Sequence, residues 1–139
     1  PAPKPAPPPP QPATGSGNRI VSVASQYLGS AYSWGGHSPS TGFDCSGFVW
    51  YVYQKAGISM PLHDLWGQLQ AGPRISQANL QPGDIVFFQN TYRGGLSHDG
   101  IYIGGGRFIN AQDYGEGVRV ASIYESYWAS RYYGASRPW

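Results

Sequence analysis

The chain has 139 residues, and their composition excludes several classes of protein. Nine Lys and Arg against seven Asp and Glu give a net charge of +2, and the arginines are scattered along the chain. This near-neutral balance disfavours nucleic-acid binding, which needs a basic face. No apolar run approaches the roughly 18 residues of a membrane span, so we expect none in this chain. The single cysteine excludes both an internal disulfide framework and a Cys-rich zinc site.

A proline-rich segment opens the chain. Residues 1–12 hold eight of the thirteen prolines, and the sequence Ala-Thr-Gly-Ser-Gly follows. This composition is typical of a semi-rigid spacer that ends in a flexible joint. We therefore predict a linker over residues 1–17 and a single domain over residues 18–139, with a further module upstream of the linker. The alternative is a proline-rich ligand for a binding module.

The first half of the domain has apolar residues at helical spacing. The predicted elements are a helix at about 18–28, a loop over 30–43, a helix over about 45–56 and a short helical or irregular stretch at 63–70. The second of these helices has the clearest boundaries. Asp44 is a suitable N-cap for it, and Gly57 ends it. Its apolar stripe runs from Cys45 to Ala56 along one face.

From Pro82 onward, the pattern changes to short strands separated by glycines. We predict strands at 84–89, 98–103, 107–111 and 118–121, a turn of helix at 124–130 and a last strand at 131–135. Three glycines, at 104–106, separate the second strand from the third, which predicts an antiparallel hairpin. Helices followed by a run of strands indicate an α+β fold, with N-terminal helices packed on a central antiparallel sheet of about five to six strands.

Cys45 is the first candidate for chemistry. It lies in the first turn of the second helix, where unpaired N–H groups and the helix dipole favour an anion. We therefore expect the pKa of its thiol to lie below that of a free cysteine. The surrounding sequence TGFDCSG lets a substrate approach closely, and the Cys45 N–H is suited to bind a developing oxyanion. The alternative role is that of a small buried hydrophobe.

A nucleophilic thiol also needs a base, and three histidines are available. His37 and His63 lie in irregular segments, whereas His98 begins a predicted strand and so has a rigid scaffold. Across the hairpin, Asn110 falls close to His98 and on the same face, and its amide oxygen is suited to fix the imidazole tautomer. Asp99 is expected on the opposite face of the strand. The alternatives are a surface histidine and an ordinary polar residue at a strand end.

Four motifs along the chain resemble those of one protein family. They are YSWGG (32–36), TGFDCSGFV (41–49), LQPGDIVFF (80–88) and SHDGIYIGGGRFINA (97–111). In this order and spacing they are similar to the NlpC family of bacterial cell-wall cysteine peptidases. The resemblance runs from about Ile20 to the C-terminus and implies a compact papain-like fold.

The resemblance also implies roles for individual residues. Cys45 matches the nucleophile of the family and His98 its general base, while Asn110 occupies a third polar position where many members have histidine. Asparagine orients the imidazole but takes up no positive charge, so we expect activity with a different pH profile. Tyr32 matches a tyrosine beside the nucleophile, near the oxyanion site.

Other positions match the substrate groove of the family. Asp44 and Ser46 correspond to residues that hold the ammonium group of stem peptides with a free amino end. The remaining candidates for substrate binding are Trp34, His63 and Ser97. Around His63 the family pattern is disturbed, since Leu62 is inserted and Trp66 is atypical. We therefore expect the groove to differ there.

The function that the resemblance implies is hydrolysis of peptidoglycan stem peptides at the γ-D-glutamyl–diamino acid bond. The expected protein is a monomer, secreted or attached to the cell envelope, with an upstream wall-binding or anchoring module. No metal or organic cofactor is expected, and the histidines lack the paired spacing of metal ligands. Two alternatives stay open: a non-catalytic wall-binding module with the same fold, and a papain-like amidase or acyltransferase with another substrate.

Overall fold

The computed structural model describes residues 15–139, and the rest of the predicted linker, residues 1–14, lies outside them. The helices in this range are α1 (Gly15–Gln26), α2 (Cys45–Lys55), α3 (Leu65–Leu69) and α4 (Ser126–Ala129). The strands are β1 (His37–Ser38), β2 (Gly42–Phe43), β3 (Ile85–Gln89), β4 (Leu96–Gly104), β5 (Arg107–Ala111), β6 (Val118–Ser122) and β7 (Tyr132–Ser136). Among these residues, no helix is long and apolar enough to cross a membrane.

Five strands form one antiparallel sheet in the order β6-β5-β4-β3-β7. β4 and β5 form the hairpin predicted at the three glycines, with Ile101 opposite Ile109. β3 pairs with β4 on one side and with β7 on the other. The helices α1 to α3 precede this sheet in the chain. This arrangement confirms the α+β fold and the antiparallel sheet expected from the sequence.

The sheet carries apolar clusters on both faces because side chains alternate along its strands. Ile85 and Phe87 of β3 belong to the larger cluster, which also contains the apolar faces of α1, α2 and α3. Val86 and Phe88 belong to a smaller cluster that includes Trp128 of α4. The middle strands β3 and β4 are thus covered on both faces, which fixes the position of the residues they carry.

The first helix begins three residues earlier than predicted. α1 starts at Gly15, so residues 15–17 are helical and the predicted end of the linker at residue 17 is wrong. Gly17 is buried, and a Cβ at this position would lie 2.4 Å from the carbonyl oxygen of Pro82 and 3.2 Å from the Trp139 ring. The sequence Gly-Ser-Gly is typical of a flexible joint, but here a glycine allows α1 to contact the turn before β3.

The loop predicted over residues 30–43 contains a short pair of strands. β1 and β2 pair antiparallel, with His37 opposite Phe43. Each has two residues, which is too short to produce a periodic signal. β4 also begins two residues before the prediction, at Leu96, next to an irregularity in its pairing with Gln89. Pairing between segments that are distant in the sequence sets these strand boundaries, so the local sequence pattern does not predict them.

Substitution of Gly17 with alanine tests the contact between α1 and the turn before β3. Because the added methyl group would overlap the Pro82 carbonyl oxygen, we expect Gly17→Ala to lower the free energy of unfolding by about 1–3 kcal/mol. Gly15→Ala is the matched control, since nothing lies within 4 Å of its Cβ position, and we expect it to be neutral or slightly stabilising. Urea denaturation measures both. Equal stability of the two variants would contradict the contact.

Candidate active site

α2 begins at Cys45, and the side chain of Asp44 holds its first turn. Asp44 Oδ1 accepts a hydrogen bond from the Gly47 N–H at 2.8 Å, and Oδ2 accepts one from the Gly35 N–H at 3.0 Å. The N-cap predicted at Asp44 is therefore confirmed. The same carboxylate also ties the loop before β1 to the start of the helix.

The Cys45 thiol lies between α2 and β4 and is 7% exposed. Its Sγ donates a hydrogen bond to the Ser97 carbonyl oxygen at 3.9 Å, and a backbone hydrogen bond with Asp99 also reaches the sulfur. The thiol thus contacts the backbone on both sides of His98. Cys45 also lines a cavity of about 310 Å³, here called the thiol cavity.

The lowered pKa expected for Cys45 is wrong. Burial raises the pKa of the thiol above its ordinary value, and the charges of Asp99 and Asp44 add to this effect. Backbone hydrogen bonds with Asp99 and Ser46 lower the pKa but do not compensate. The repulsion from Asp99 applies only when its carboxyl is ionised. Desolvation therefore outweighs the helix dipole, and the thiol is protonated in the resting site.

Asn110 fixes the tautomer of His98. Nε2 of His98 on β4 lies 2.7 Å from Oδ1 of Asn110 on β5, which confirms the contact predicted from the hairpin. The amide nitrogen of Asn110 donates to the Arg119 carbonyl oxygen at 3.1 Å, so the amide oxygen faces the imidazole. Nε2 must therefore carry the proton and donate it. Nδ1 is left as the basic nitrogen of the ring.

His98 lies among aromatic side chains on the face of the sheet that carries α4. Its ring stacks on Trp128, with centroids 5.1 Å apart and an interplanar angle of 27°. Phe88 lies 6.1 Å away, centroid to centroid. Burial lowers the pKa of His98 to about 4, although the hydrogen bond with Asn110 and the charge of Asp113 act in the opposite direction. The imidazole is therefore neutral at neutral pH and able to accept a proton.

His98 lines a second cavity of about 380 Å³, here called the imidazole cavity. Tyr92 lines both cavities, so its loop lies at the boundary between them. Within residues 15–139 no hydrogen bond joins the sulfur to the imidazole, because the thiol donates to the Ser97 carbonyl instead. Rotation of the Cys45 side chain is needed to direct the thiol to Nδ1. Such rearrangement is common in catalytic pairs without substrate.

Two aromatic candidates, Tyr32 and Trp34, lie on the thiol side, and both line the thiol cavity. Burial raises the pKa of Tyr32, so its hydroxyl remains a hydrogen-bond donor over the neutral range. Trp34 is 62% exposed and contacts Tyr92 edge to face, with centroids 5.4 Å apart. The structure therefore brings both aromatic candidates to the cavity that contains the thiol.

Three of the four polar candidates for substrate binding, Asp44, Ser46 and His63, also line the thiol cavity. His63 Nδ1 lies 3.4 Å from Asp44 Oδ1. The fourth candidate, Ser97, is fully buried, and its hydroxyl bonds to the backbone N–H and the hydroxyl of Thr91. The backbone carbonyl of Ser97, rather than its side chain, contacts the thiol by accepting its hydrogen bond.

The histidines outside the sheet lie close to each other but form no metal site. The rings of His37 and His63 contact edge to face with centroids 5.6 Å apart, and Asp44 lies beside His63. Among residues 15–139, no group of three or more His, Cys, Asp or Glu side chains is arranged to hold a metal ion. The carboxylate of Asp44 is occupied by its two backbone donors.

Comparison with known proteins identifies the family. The model of the NlpC/P60 family matches residues 29–137, which is most of the chain and includes both cavities. The chain belongs to the NlpC/P60 family. The resemblance noted in the four motifs is thereby confirmed.

The curated relatives of this NlpC/P60 domain are named for different hydrolase activities. The gamma-DL-glutamyl hydrolase of Bacillus subtilis is 45% identical over 119 residues, which cover 85% of this chain and 28% of the relative. The murein DD-endopeptidase MepH of Escherichia coli is 41% identical over 115 residues, which cover 81% of this chain and 42% of the relative. The chain thus spans less than half the length of these curated relatives.

A solved structure shares the fold over most of its length. The crystal structure of the NlpC/p60 domain of the peptidoglycan hydrolase SagA matches this chain with a TM-score of 0.73 and 39% sequence identity. The match covers 87% of this chain and 97% of that chain. The match therefore spans nearly all of that solved domain.

The sequence-based predictions missed several residues at the site of this NlpC/P60 domain. Tyr92 and Arg93 line the thiol cavity, although the stretch that contains them has the composition of a flexible connection. Gln68 is fully buried, and its amide nitrogen donates to the Ser46 carbonyl oxygen at 3.0 Å and to the Pro61 carbonyl oxygen at 2.9 Å. The sequence feature that could have identified Tyr92 and Arg93 is an aromatic residue next to an arginine. No local pattern identifies Gln68.

The lowered pKa of His98 makes stability depend on pH. In the unfolded chain the imidazole takes up a proton below about pH 6.5, whereas the folded protein resists protonation down to about pH 4. We expect the His98 contribution to be constant above pH 6.5 and to destabilise the fold by up to about 3 kcal/mol as the pH falls to 4. His98→Gln should lack this dependence, whereas the control His37→Gln should keep it. Urea denaturation at pH 7, 5.5 and 4 measures the difference, and parallel curves for all three proteins would contradict it.

Proposed function

We propose that this NlpC/P60 domain is a cysteine endopeptidase that cleaves peptidoglycan stem peptides at the γ-D-glutamyl–diamino acid bond. The observation that carries the proposal is the contact of the Cys45 thiol, at the start of α2, with the backbone on both sides of His98. Asn110 leaves Nδ1 of His98 free to act as a base. The name of one relative, a gamma-DL-glutamyl hydrolase, supports a γ-glutamyl bond, and that of the other, a murein DD-endopeptidase, supports peptidoglycan as the substrate class.

In the first half of the reaction the thiol becomes the nucleophile. Substrate entering the thiol cavity turns the Cys45 side chain from the Ser97 carbonyl toward Nδ1 of His98, which takes the proton. The thiolate attacks the scissile carbonyl carbon. The developing oxyanion accepts hydrogen bonds from the Cys45 N–H, one of the first-turn donors of α2, and from the hydroxyl of Tyr32.

In the second half the imidazolium gives its proton to the departing amine, and the acyl group stays on Cys45 as a thioester. Water then attacks the thioester with His98 as the base, which releases the carboxylic acid and restores the thiol. Because burial keeps both groups neutral at rest, proton transfer from Cys45 to His98 has to accompany attack. This favours reaction only when a substrate carbonyl is present.

The charge of the thiol cavity supports a γ-linked glutamyl residue on the acyl side. A glutamyl residue that is bonded through its side chain keeps a free α-carboxylate near the scissile carbonyl. Among residues 15–139, Arg93 is the one Lys or Arg that lines the thiol cavity, and guanidinium groups bind carboxylates strongly. Asp44 is less available for an ammonium group, since both of its oxygens accept backbone N–H groups. This occupancy favours a substrate without a free amino end.

The charge of the imidazole cavity supports a cationic leaving group. His98 has to protonate the departing amine, so the leaving residue lies on its side of the cleft. Asp113 and Glu125 line this cavity, and each uses one carboxylate oxygen to accept backbone N–H groups. Their remaining charge is complementary to the second amino group of a diamino acid.

We also propose that the protein acts outside the cell or at the cell envelope, because the proposed substrate is there. The predicted proline-rich linker would tether the domain to an upstream wall-binding or anchoring module and raise the local substrate concentration. All proposed catalytic residues come from one chain, so a monomer is sufficient for activity.

Cleavage of the D,D cross-link is the second candidate, and the relation to the murein DD-endopeptidase favours it. In that bond the acyl group belongs to D-alanine, which offers no free carboxylate to Arg93. An acyltransferase would pass the same thioester to an amine instead of water. A non-catalytic wall-binding module would release no product.

Digestion of defined stem tripeptides, tetrapeptides and cross-linked dimers, followed by mass spectrometry, separates these candidates. We expect products cut after the γ-D-glutamyl residue. Cys45→Ala and His98→Ala should each reduce the rate by at least about 100-fold, and Asn110→Ala by about tenfold, because general-base catalysis contributes at least this much. Thermal unfolding of each variant is the control for folding.

Each other outcome of the digestion counts against the proposal. A cut in the D,D cross-link supports the second candidate, a transfer product indicates an acyltransferase, and no product from folded protein indicates a binding module. Undiminished cleavage by Cys45→Ala would remove the thiol from the mechanism.

Substitution of Arg93 tests whether its guanidinium group binds the α-carboxylate on the acyl side of the scissile bond. Because a hydrogen bond between charged groups contributes about 1.5 kcal/mol, we expect Arg93→Gln to raise KM about tenfold for a stem peptide with a free α-carboxylate. With the α-amidated peptide the variant and the parent protein should have similar KM values. Arg107→Gln, an exposed arginine on β5, is the control. An equal loss for both peptides would contradict recognition of the carboxylate by Arg93.

A further inference from the structure

Asp99 is a buried carboxyl group that the proposed mechanism does not use. It is fully inaccessible to solvent, and neither of its carboxyl oxygens has a hydrogen-bond partner within residues 15–139. A polar group buried in this way costs stability, and a charged one costs far more. An apolar side chain of similar size would avoid the cost, so the position is unusual for a purely structural residue.

The side chain of Asp99 lies behind the nucleophile. Along β4 the side chains alternate, so Asp99 lies on the opposite face from His98, together with Ile101 and facing α2. Its strand partner on β3 is Phe87. Its backbone also takes part in the hydrogen bond that reaches the Cys45 sulfur. The carboxyl group and the thiol therefore share the narrow space between the first turn of α2 and β4.

The ionisable groups that interact with Asp99 are acids. They are Cys45, Asp44 and Tyr53 at α2 and Tyr92 in the loop before β4. None of these groups, within the part of the chain that the structure describes, supplies a positive charge. Burial, with the charge of Asp44, raises the pKa of Asp99 well above its ordinary value. Asp99 is therefore held as a neutral acid over a wide range of pH.

We propose that Asp99 is a positioning residue that acts through Cys45: as a neutral acid it permits the thiolate to form, and its ionisation in alkaline solution suppresses the nucleophile. The physical reason is the low polarity of the shared space, where two negative charges repel strongly. Loss of the Asp99 proton to solvent leaves a carboxylate next to the sulfur. The thiol then holds its proton more tightly, and transfer to His98 becomes unfavourable. The activity part of this proposal depends on the proposed cysteine mechanism, whereas the coupling of the two groups does not.

The same chemistry makes a prediction for stability. The pKa of Asp99 is raised by folding, so the folded protein binds a proton that the unfolded chain releases above about pH 4. Stability is therefore lost as the pH rises from about 4 toward the pKa in the folded protein. Asp99→Asn removes this loss. Its advantage in Tm over the parent protein should grow as the pH is raised.

Asp99→Asn and Asp99→Leu test the proposal, because both side chains stay neutral at every pH. The rate of Cys45 alkylation by iodoacetamide is measured from pH 6 to 10.5, together with kcat/KM on a stem tetrapeptide. We expect both variants to be alkylated about tenfold faster than the parent protein on the alkaline side, and the alkaline decline of kcat/KM to move to higher pH. Glu116→Gln, a surface carboxylate paired with Arg119, is the matched control and should change neither profile.

The outcomes separate this proposal from the proposed function. Alkylation reports on the thiol without any turnover, so a shifted alkylation profile in a protein that cleaves no stem peptide supports the coupling and contradicts the peptidase. Unchanged alkylation and kcat/KM profiles in folded Asp99→Asn and Asp99→Leu overturn the coupling, as does a shift in just one of them. Failure of both variants to fold also overturns it, since the proposal requires that the carboxyl group makes no essential contact.

Discussion

The first turn of α2 has to lie against β4 before any chemistry at its thiol is possible. Glycines let the loop before β1 pack closely against this turn, because a Cβ on Gly47 would lie 2.0 Å from the Gly36 carbonyl oxygen, and one on Gly36 would lie 2.2 Å from that of Gly42. Asp44 then joins the loop to the helix through two backbone N–H groups. From α3, Gln68 holds the first turn by its hydrogen bond to a backbone carbonyl. The loop before β1, the N-cap of α2 and helix α3 thus hold the turn that carries Cys45, the proposed nucleophile, which is the support that a preorganised site requires.

Burial determines the charge state of this site. It raises the pKa of Cys45 and lowers that of His98, so both groups are neutral at rest. A thiol reacts with oxidants and electrophiles mainly as the thiolate, so the resting site is protected from them. In the proposed mechanism a substrate carbonyl supplies the driving force for proton transfer, because the charge that develops on it is stabilised by hydrogen-bond donors. Low intrinsic reactivity of the resting thiol is therefore compatible with the proposed catalysis.

Features encoded by short-range patterns were predictable, and those that depend on distant contacts were not. The α2 stripe and the hairpin glycines arise from local spacing, so the pairing of His98 with Asn110 followed from counting residues back from the turn. The start of α1 depends on the packing of Gly17 against the turn before β3. The charge of Cys45 depends on how much protein surrounds it, which a helix-dipole argument ignores. Ser97 lies within a family motif, but its hydroxyl is hydrogen-bonded to Thr91 in the neighbouring loop.

The register of β4 connects both sides of the site. Successive side chains on a strand point to opposite faces, so His98 faces Trp128 while Asp99 faces α2. A shift of one residue in the register would exchange the two side chains and bring a carboxylate to the position of the imidazole. The ladder prevents this, since β4 pairs with β3 through Phe88 opposite His98 and with β5 through Ile109. The proposed base, His98, and the buried acid, Asp99, are thus positioned by the same backbone hydrogen bonds, and the Cys45 sulfur lies against the backbone that carries both.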